Sequence, residues 1–345
     1  MSMTTATGSL TRDFLLPELT TTEGRRLTGL RLRYHISGDV DAAAENGWIL
    51  VFHALTGNSE VDAWWGPLVG PGKALDTTRH AVLSANLLGG CYGSTGPSEW
   101  RAEHHESFPE LTPADLARAH IPLLEHLGVR RLALATGGSL GGMVALHWGR
   151  VASVPTDRLV VFAAPAAASP QAISWNAVQR MAIEADPAWA GGDYLPGEGP
   201  TAGLAAARAV AMITYRSGAE FQARFGRLSS RSEGLFDVEH YLRRQGEKLV
   251  ARFDAASYVA LMRAMDLHDV GDFTTAARDT ARRVGLVTGV GIDSDILYPA
   301  AEVRDWVAAY RAGGAKAEYR EIASLYGHDA FLIEWDQVEG ILRGT

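Results

Sequence analysis

One short segment, residues 131–146, restricts the possible folds of this chain more than any other. An apolar run, Leu132 to Ala135, leads directly into a Gly-x-Ser-x-Gly pattern centred on Ser139. A helix-like stretch, Met143 to Trp148, follows at once. A buried strand, a tight glycine turn and a helix are the context in which such a serine forms a nucleophile elbow. We therefore interpret Ser139 as a candidate nucleophile, held by a strained turn at the end of a strand.

Other apolar runs in the chain predict the strands of a parallel sheet. Predicted strands lie at 48–52, 81–85, 132–135, 159–162, 284–288 and 317–322. Strands that are apolar on both faces and alternate with helical stretches belong to a sheet covered on both sides. Two earlier segments, 12–16 and 26–36, predict an antiparallel hairpin at one edge of this sheet. A last helix is predicted to begin at Phe331.

The pattern changes between about residues 166 and 273, where strand-like runs are absent and helical pieces carry aromatic residues and arginines. A Gly- and Pro-rich loop, 186–200, interrupts these helices. We predict a helical lid at 166–273, inserted into a core domain made of 1–165 and 274–345. Ligands are expected at the carboxyl ends of the strands, beneath this lid.

A serine nucleophile needs a base that takes its proton and a third group that holds the base. His328 follows the predicted strand at 317–322, and Asp293 and Asp295 both follow the strand at 284–288. The resulting order, Ser, Asp, His, is the order that the α/β-hydrolase fold requires. We predict His328 as the general base and Asp295 as its partner, while Asp293 stays a competing carboxylate.

The oxyanion of an acyl-transfer reaction needs two backbone N–H donors. Leu140 follows the candidate nucleophile directly and is predicted to supply one. The second is expected from the loop after the strand at 48–52, and by position we choose Leu55. His53, at the start of that loop, is interpreted as a structural turn residue.

Composition narrows the class of protein further. The 32 basic and 40 acidic residues give a net charge of −8, which argues against nucleic acid or an anionic membrane as principal partner. The single cysteine, Cys91, excludes an intrachain disulfide, and a cytoplasmic enzyme without a signal peptide is expected. No apolar run reaches the length of a membrane span. No Cys/His cluster predicts a metal site.

At these residues the chain resembles the homoserine O-acyltransferases, in particular the homoserine O-acetyltransferase branch of the α/β-hydrolase superfamily. The elbow Gly-Gly-Ser-Leu-Gly-Gly is one of several similar pieces, which run nearly from end to end. The others include His-Ala-Leu-Thr-Gly at 53–57, Asn-Leu-Leu-Gly-Gly-Cys-Tyr-Gly-Ser-Thr-Gly-Pro at 86–97, Thr-Tyr-Arg-Ser at 214–217, Asp-Ser-Asp at 293–295 and Tyr-Gly-His-Asp at 326–329.

The resemblance implies Ser139, Asp295 and His328 as the triad, and Arg208 and Asp329 as groups that bind an amino-acid acceptor. It also implies acetyl-CoA as co-substrate with no tightly bound cofactor, L-homoserine as acceptor, and a homodimer formed through the lid helices. Leu140 stands where many acetyl-transferring members have methionine or phenylalanine, and succinyl-transferring relatives can also carry leucine there. Succinyl-CoA as donor therefore stays open. L-Serine as acceptor also stays open, because one methylene separates it from homoserine, and hydrolysis by a serine esterase or thioesterase stays open, because water competes for the same acyl-enzyme.

Overall fold

The central element of the protein is a mostly parallel sheet of eight strands. The computed structural model describes residues 9–195, 197–228 and 234–345. The first eight residues, on which the prediction of no signal peptide rests, lie outside the described residues. The strands are β1 (Leu10–Leu16), β2 (Leu19–Thr20), β3 (Arg26–Leu27), β4 (Leu30–Gly38), β5 (Trp48–Phe52), β6 (Ala81–Ala85), β7 (Leu132–Gly138), β8 (Thr156–Phe162), β9 (Val284–Ile292) and β10 (Ala317–Ile322).

The strand order is β1-β4-β6-β5-β7-β8-β9-β10, and β2 pairs separately with β3. The six strands from β6 to β10 in this order are parallel, while β4 runs antiparallel to β6 and β1 antiparallel to β4. The carboxyl ends of the parallel strands therefore meet at one edge, where a ligand site is expected.

Helices connect the strands and cover both faces of the sheet. They are α1 (Val40–Asn46), α2 (Val61–Trp64), α3 (Pro97–His104), α4 (Pro113–His126), α5 (Leu140–Val151), α6 (Pro170–Glu184), α7 (Thr201–Tyr215), α8 (Gly218–Phe225), α9 (Asp237–Val250), α10 (Ala255–Asp266), α11 (Phe273–Ala281), α12 (Ala300–Ala312) and α13 (Trp335–Arg343). The longest of these, α6 and α7, have 15 residues each. Within the described ranges, none of the helices has the length and hydropathy that a membrane crossing requires.

Successive residues of a strand pack on opposite faces of the sheet, as the two-residue period of a strand requires. In β5, Leu50 and Phe52 join the larger apolar core, which includes residues of α4 and α5. Ile49 and Val51 join a smaller core with residues of α13. Burial on both faces explains why this strand is apolar throughout, as the sequence predicts.

Between β8 and β9 the chain forms six helices, α6 to α11, and no strand in the part of it that the structure describes. A 3₁₀ helix, Pro187–Gly192, forms part of the loop predicted at 186–200, and Pro196 of that loop lies outside the described residues. We name residues 166–273 the helical insertion. Three of its residues, Arg208, Tyr215 and Arg252, reach the cavity described below.

Two sequence predictions need correction. The predicted strand at 26–36 is two strands, because β3 leaves the sheet to pair with β2 and the chain turns at Gly29, whose φ of +72° favours glycine. The last helix begins at Trp335, not at Phe331. Phe331 lies within a 3₁₀ helix, Gly327–Leu332, and its carbonyl accepts a hydrogen bond from Trp65 Nε1 at 3.0 Å.

Candidate active site

Ser139 lies in a strained turn between β7 and α5. Its backbone φ of 58° is in the region that side chains other than glycine rarely adopt. The turn is possible because its flanking residues lack side chains: a Cβ on Gly141 would lie 2.1 Å from the Phe52 carbonyl oxygen, and one on Gly137 2.5 Å from the Gly141 backbone. The sequence therefore forms the elbow that the Gly-x-Ser-x-Gly pattern predicts.

His328 and Asp295 form a buried pair near this turn. His328 Nδ1 lies 2.7 Å from Asp295 Oδ2, and the two side chains are 2% and 0% exposed. The other oxygen, Asp295 Oδ1, accepts hydrogen bonds from the backbone N–H groups of Leu297 and Tyr298 at 2.8 and 3.0 Å. These bonds fix the carboxylate, so it holds one orientation of the imidazole.

Asp293, the competing carboxylate, is exposed. Its Oδ1 accepts a hydrogen bond from the Ser324 N–H at 3.0 Å. The bond joins the loops that follow β9 and β10, so Asp293 has a structural contact away from the imidazole. The tertiary structure thus brings Asp295 to His328, which spacing alone could not decide.

The environment of His328 acts on its pKa in two directions. Burial disfavours the imidazolium, but the charge of Asp295, its hydrogen bond and the charge of Asp329 outweigh it, so the pKa of His328 is raised. The rings of Tyr215, Tyr298 and Phe331 surround the imidazole at centroid distances of 5.6, 5.2 and 5.8 Å. His328 Nε2 has no hydrogen-bond partner among the described residues. This nitrogen is therefore free to take a proton.

Two backbone N–H groups near Ser139 are unused. Leu140 is the first residue of α5, where a helical N–H has no intrahelical partner. Leu55 follows β5 in the His53–Gly57 loop, and both residues are buried. In the described part of the chain neither N–H donates to another protein group. Two such donors are what an oxyanion requires.

Ser139 and His328 line a cavity of about 220 Å³. The other lining residues come from the loop after β5, from Trp64, from the helical insertion and from the loop after β10; they are Ala54, Leu55, Thr56, Gly57, Trp64, Arg208, Tyr215, Arg252, Asp329, Phe331 and Leu332. The volume suits a small substrate, and the lining supplies both signs of charge.

Arg208 projects from α7 into this cavity. Its guanidinium lies 5.5 Å from the centroid of the Tyr215 ring. No hydrogen bond or ion pair engages Arg208 within the residues that the structure describes. A guanidinium without an anionic partner is suited to bind the carboxylate of a ligand.

Asp329, in contrast, has a partner in the protein. Its Oδ2 lies 3.3 Å from Arg216 Nη2, and the two side chains are 17% and 15% exposed. Burial raises the pKa of Asp329, although the cations Arg216, His328 and Arg208 oppose this shift. The carboxylate lies beside the cavity and could also accept hydrogen bonds from an ammonium group.

The structure thus collects all the predicted site residues at one edge of the sheet. Sequence reasoning missed four further residues of the site, namely Trp64, Tyr215, Arg216 and Arg252. Tyr215 and Arg216 lie within the Thr-Tyr-Arg-Ser piece that carries the resemblance, so that piece was the available signal. No comparable signal marks Arg252, because its contact with the loop after β5 spans 196 residues of sequence.

Within the described ranges, no group of three or more His, Cys, Asp or Glu residues is placed to bind a metal ion. The site itself presents a serine, a histidine and a carboxylate. Such a set performs acyl transfer through a covalent acyl-serine.

Comparison with known proteins agrees with this architecture. Residues 47–258 match the family model of the alpha/beta hydrolase fold. The protein is therefore a member of the α/β-hydrolase superfamily with a serine elbow.

Within that superfamily the chain has well-matched relatives. It is 43% identical over 344 residues to the homoserine O-acetyltransferase of Moorella thermoacetica, an alignment that covers 93% of this chain and 91% of the relative. The homoserine O-acetyltransferase of Carboxydothermus hydrogenoformans is 38% identical over 355 residues, with 96% of this chain and 93% of the relative covered. The chain belongs to the homoserine O-acetyltransferase family.

Solved structures share the fold over nearly the whole chain. The crystal structure of a homoserine O-acetyltransferase from Bacillus anthracis has a TM-score of 0.87 at 24% identity, covering 97% of each chain. Esterase E22 has a TM-score of 0.86 at 20% identity, covering 98% of this chain and 99% of the esterase. An acyltransferase and an esterase thus share this architecture, so fold likeness alone does not distinguish acyl transfer from hydrolysis.

Proposed function

We propose that this protein transfers the acetyl group of acetyl-CoA to the side-chain hydroxyl of L-homoserine, giving O-acetyl-L-homoserine and CoA for methionine synthesis. One observation carries the assignment of an amino-acid acceptor: the cavity that holds Ser139 also holds the carboxylate of Asp329 and the guanidinium of Arg208, which forms no ion pair with any residue that the structure describes. A zwitterionic amino acid needs a cation for its carboxylate and an anion for its ammonium. The family relationship supports homoserine and acetyl as the particular groups.

The first half-reaction acylates the enzyme. His328 Nε2 takes the proton of Ser139 Oγ, and the oxygen attacks the thioester carbonyl of acetyl-CoA. The N–H groups of Leu55 and Leu140 bind the oxyanion of the tetrahedral intermediate. Asp295 stabilises the imidazolium, which then returns its proton to the departing thiolate of CoA.

The second half-reaction transfers the acetyl group. Arg208 binds the carboxylate of homoserine, Asp329 binds its ammonium, and the hydroxyl attacks the acetyl-serine. His328 accepts the proton of this hydroxyl and returns it to Ser139 as the ester leaves. Acetyl-CoA is a co-substrate in this scheme, with no tightly bound cofactor or metal. Water competes with homoserine for the same acyl-enzyme, so the helical insertion would also act as a lid that limits its access.

The test measures thiol release from acetyl-CoA and succinyl-CoA, each with L-homoserine, L-serine or no amino acid, with products identified by mass. We expect release that depends on acetyl-CoA and homoserine and is lost in Ser139→Ala. Dependence on serine or succinyl-CoA would preserve the mechanism and change the substrate. Equal release without any amino acid would contradict the transferase and leave a thioesterase.

We also propose a cytoplasmic enzyme that forms a homodimer through the helices of the insertion. The family resemblance supports the dimer, and apolar side chains exposed on α6, namely Val178 and Met181 at 46% and 64%, offer it a surface. Sedimentation equilibrium tests this proposal: we expect a dimer, and a monomer for Met181→Glu. A wild-type monomer at micromolar concentration would contradict it.

A further inference from the structure

The loop that carries Leu55 is fixed by hydrogen bonds around one carbonyl. The carbonyl oxygen of Ala54 accepts the backbone N–H of Gly57 at 2.9 Å. It also lies 2.8 Å from Nδ1 of the buried His53 side chain. Two donors from the same loop therefore converge on the Ala54 carbonyl.

The protonation state of His53 follows from its other nitrogen. Nε2 lies 3.0 Å from the backbone N–H of Leu87, which can only donate. Nε2 must therefore be the acceptor, and Nδ1 carries the hydrogen that is donated to the Ala54 carbonyl. Burial lowers the pKa of His53 to about 4, so the neutral imidazole keeps these roles at neutral pH.

The bond from His53 has a consequence at Leu55. The Ala54 carbonyl and the Leu55 N–H belong to one planar peptide unit and point in opposite directions. Fixing the carbonyl therefore fixes the direction of the N–H, which donates to no group among the described residues and can bind an oxyanion.

A second side chain holds the same loop from outside the core. Arg252, between α9 and α10, donates through Nη1 to the Thr56 carbonyl at 2.7 Å and to Tyr92 Oη at 2.7 Å. The Thr56 carbonyl shares its peptide unit with the Gly57 N–H, which in turn donates to Ala54. Arg252 thereby connects the helical insertion to the loop.

Arg252 also borders two cavities, the 220 Å³ cavity with Ser139 and a larger one of about 650 Å³. A residue at this boundary could instead bind the acyl donor, so the experiment must separate donor binding from positioning.

We propose that His53 and Arg252 are positioning residues that direct the Leu55 N–H toward the oxyanion, His53 from the core and Arg252 from the helical insertion. The inference rests on the proposed function, specifically on Leu55 as an oxyanion donor. Both side chains act through backbone carbonyls, and neither needs to touch the substrate.

The experiment measures the rate of acylation by p-nitrophenyl acetate, which requires neither CoA nor homoserine. Three variants test the two hydrogen bonds of His53 separately. His53→Asn keeps a donor near Nδ1, His53→Gln keeps an acceptor near Nε2, and His53→Leu keeps neither. Removing one oxyanion donor lowers kcat by about 100- to 1000-fold, so misdirecting it should lower acylation by about 10- to 100-fold in the Gln and Leu variants. We expect His53→Asn to retain most of the rate.

Arg252 is tested at an exposed position, where the variants are expected to fold. We expect Arg252→Ala to lower acylation by about tenfold and Arg252→Lys to restore part of the rate. The matched control is Arg243→Ala on α9, whose side chain pairs with Glu239 on the surface; its rate should equal that of wild type. Thermal unfolding is recorded for every variant, and acylation should fall without a matching loss of stability.

Each part of the proposal would be contradicted by a different experimental result. If Arg252→Ala raises only the KM for acetyl-CoA and leaves acylation by p-nitrophenyl acetate unchanged, Arg252 binds the donor and its positioning role is overturned. If His53→Asn is as slow as His53→Leu at equal stability, the role of the Nδ1 bond is overturned. If Ser139→Ala still forms an acetyl-enzyme, the proposed function fails before this inference is reached.

Discussion

The cavity has two ends that differ in how their charged groups are satisfied. At the proposed acylation end, which comprises Ser139, His328 and Asp295, the imidazole and the carboxylate bind each other and are almost completely buried. At the proposed acceptor end, Arg208 and Asp329 line the cavity, and the carboxylate of Asp329 pairs with Arg216. Arg208 has neither a hydrogen bond nor an ion pair in the described residues.

This difference separates charged groups whose partners are all supplied by the protein from a charged group whose partner the substrate must supply. Groups that make the reacting bonds need fixed positions before the substrate arrives, because reorganisation during the reaction adds to the barrier. A group that recognises the acceptor must leave a bonding site empty until the acceptor binds. Variants at the acylation end should therefore lower kcat, and variants at the acceptor end should raise the KM for homoserine.

The largest expected effect tests the acylation end. Asp295→Asn should lower kcat by about 10⁴-fold, because an amide no longer stabilises the imidazolium or selects its tautomer. Asp293→Asn is the matched control, two residues away and exposed, and should change kcat less than about twofold. Steady-state thiol release measures both. Equal losses in the two variants would contradict the assignment of Asp295.

An intermediate effect tests the acceptor end. Arg208→Gln should raise the KM for homoserine by about 10- to 100-fold, since a charge-assisted hydrogen bond to the carboxylate is lost. Acylation by p-nitrophenyl acetate should be unchanged, because that step needs no acceptor. Arg304→Gln, an exposed residue of α12 paired with Glu321, serves as control. A slower acylation in Arg208→Gln would show that the two ends are not independent.

The smallest effect tests the coupling between the ends through Asp329. Because the carboxylates raise the pKa of His328 and the base must be neutral, acylation should rise with pH through a midpoint above that of an ordinary histidine. Asp329→Asn should lower this midpoint by roughly half a pH unit, whereas Asp336→Asn on α13 should leave it in place. An unchanged midpoint in Asp329→Asn would mean that Asp329 does not act on His328.

The raised pKa of His328 also makes the stability of the folded protein depend on pH. A folded-state pKa of His328 above the unfolded value stabilises the fold at low pH, and this contribution is lost as pH rises through the folded pKa. The proposed base, His328, should thus become active over the pH range in which its stabilising charge disappears. Measuring the denaturation midpoint as a function of pH follows this loss of stability.

The sequence determined the local parts of this protein. The buried strands and the elbow at Ser139 depend on short-range patterns, in which apolar runs and small residues leave few conformations open. The order of serine, aspartate and histidine follows from which of these residues stand directly after predicted strands. Two element boundaries were less predictable from the sequence. The predicted strand at 26–36 is interrupted at Gly29, which has a positive φ. The last helix begins after Phe331, whose carbonyl is bound by Trp65, a residue far away in the sequence.

Only the tertiary structure decided which side chains contact each other at the carboxyl edge of the sheet. It brought Asp295 rather than Asp293 to the imidazole and paired Asp329 with Arg216. It left Arg208 without a hydrogen bond or an ion pair to any described residue, and placed Arg252 on the loop that carries Leu55. Each of these contacts depends on the direction of a side chain at the end of a different strand or helix. Spacing along the chain predicts which residues reach that edge, whereas packing sets the few ångströms and the orientation on which a hydrogen bond depends.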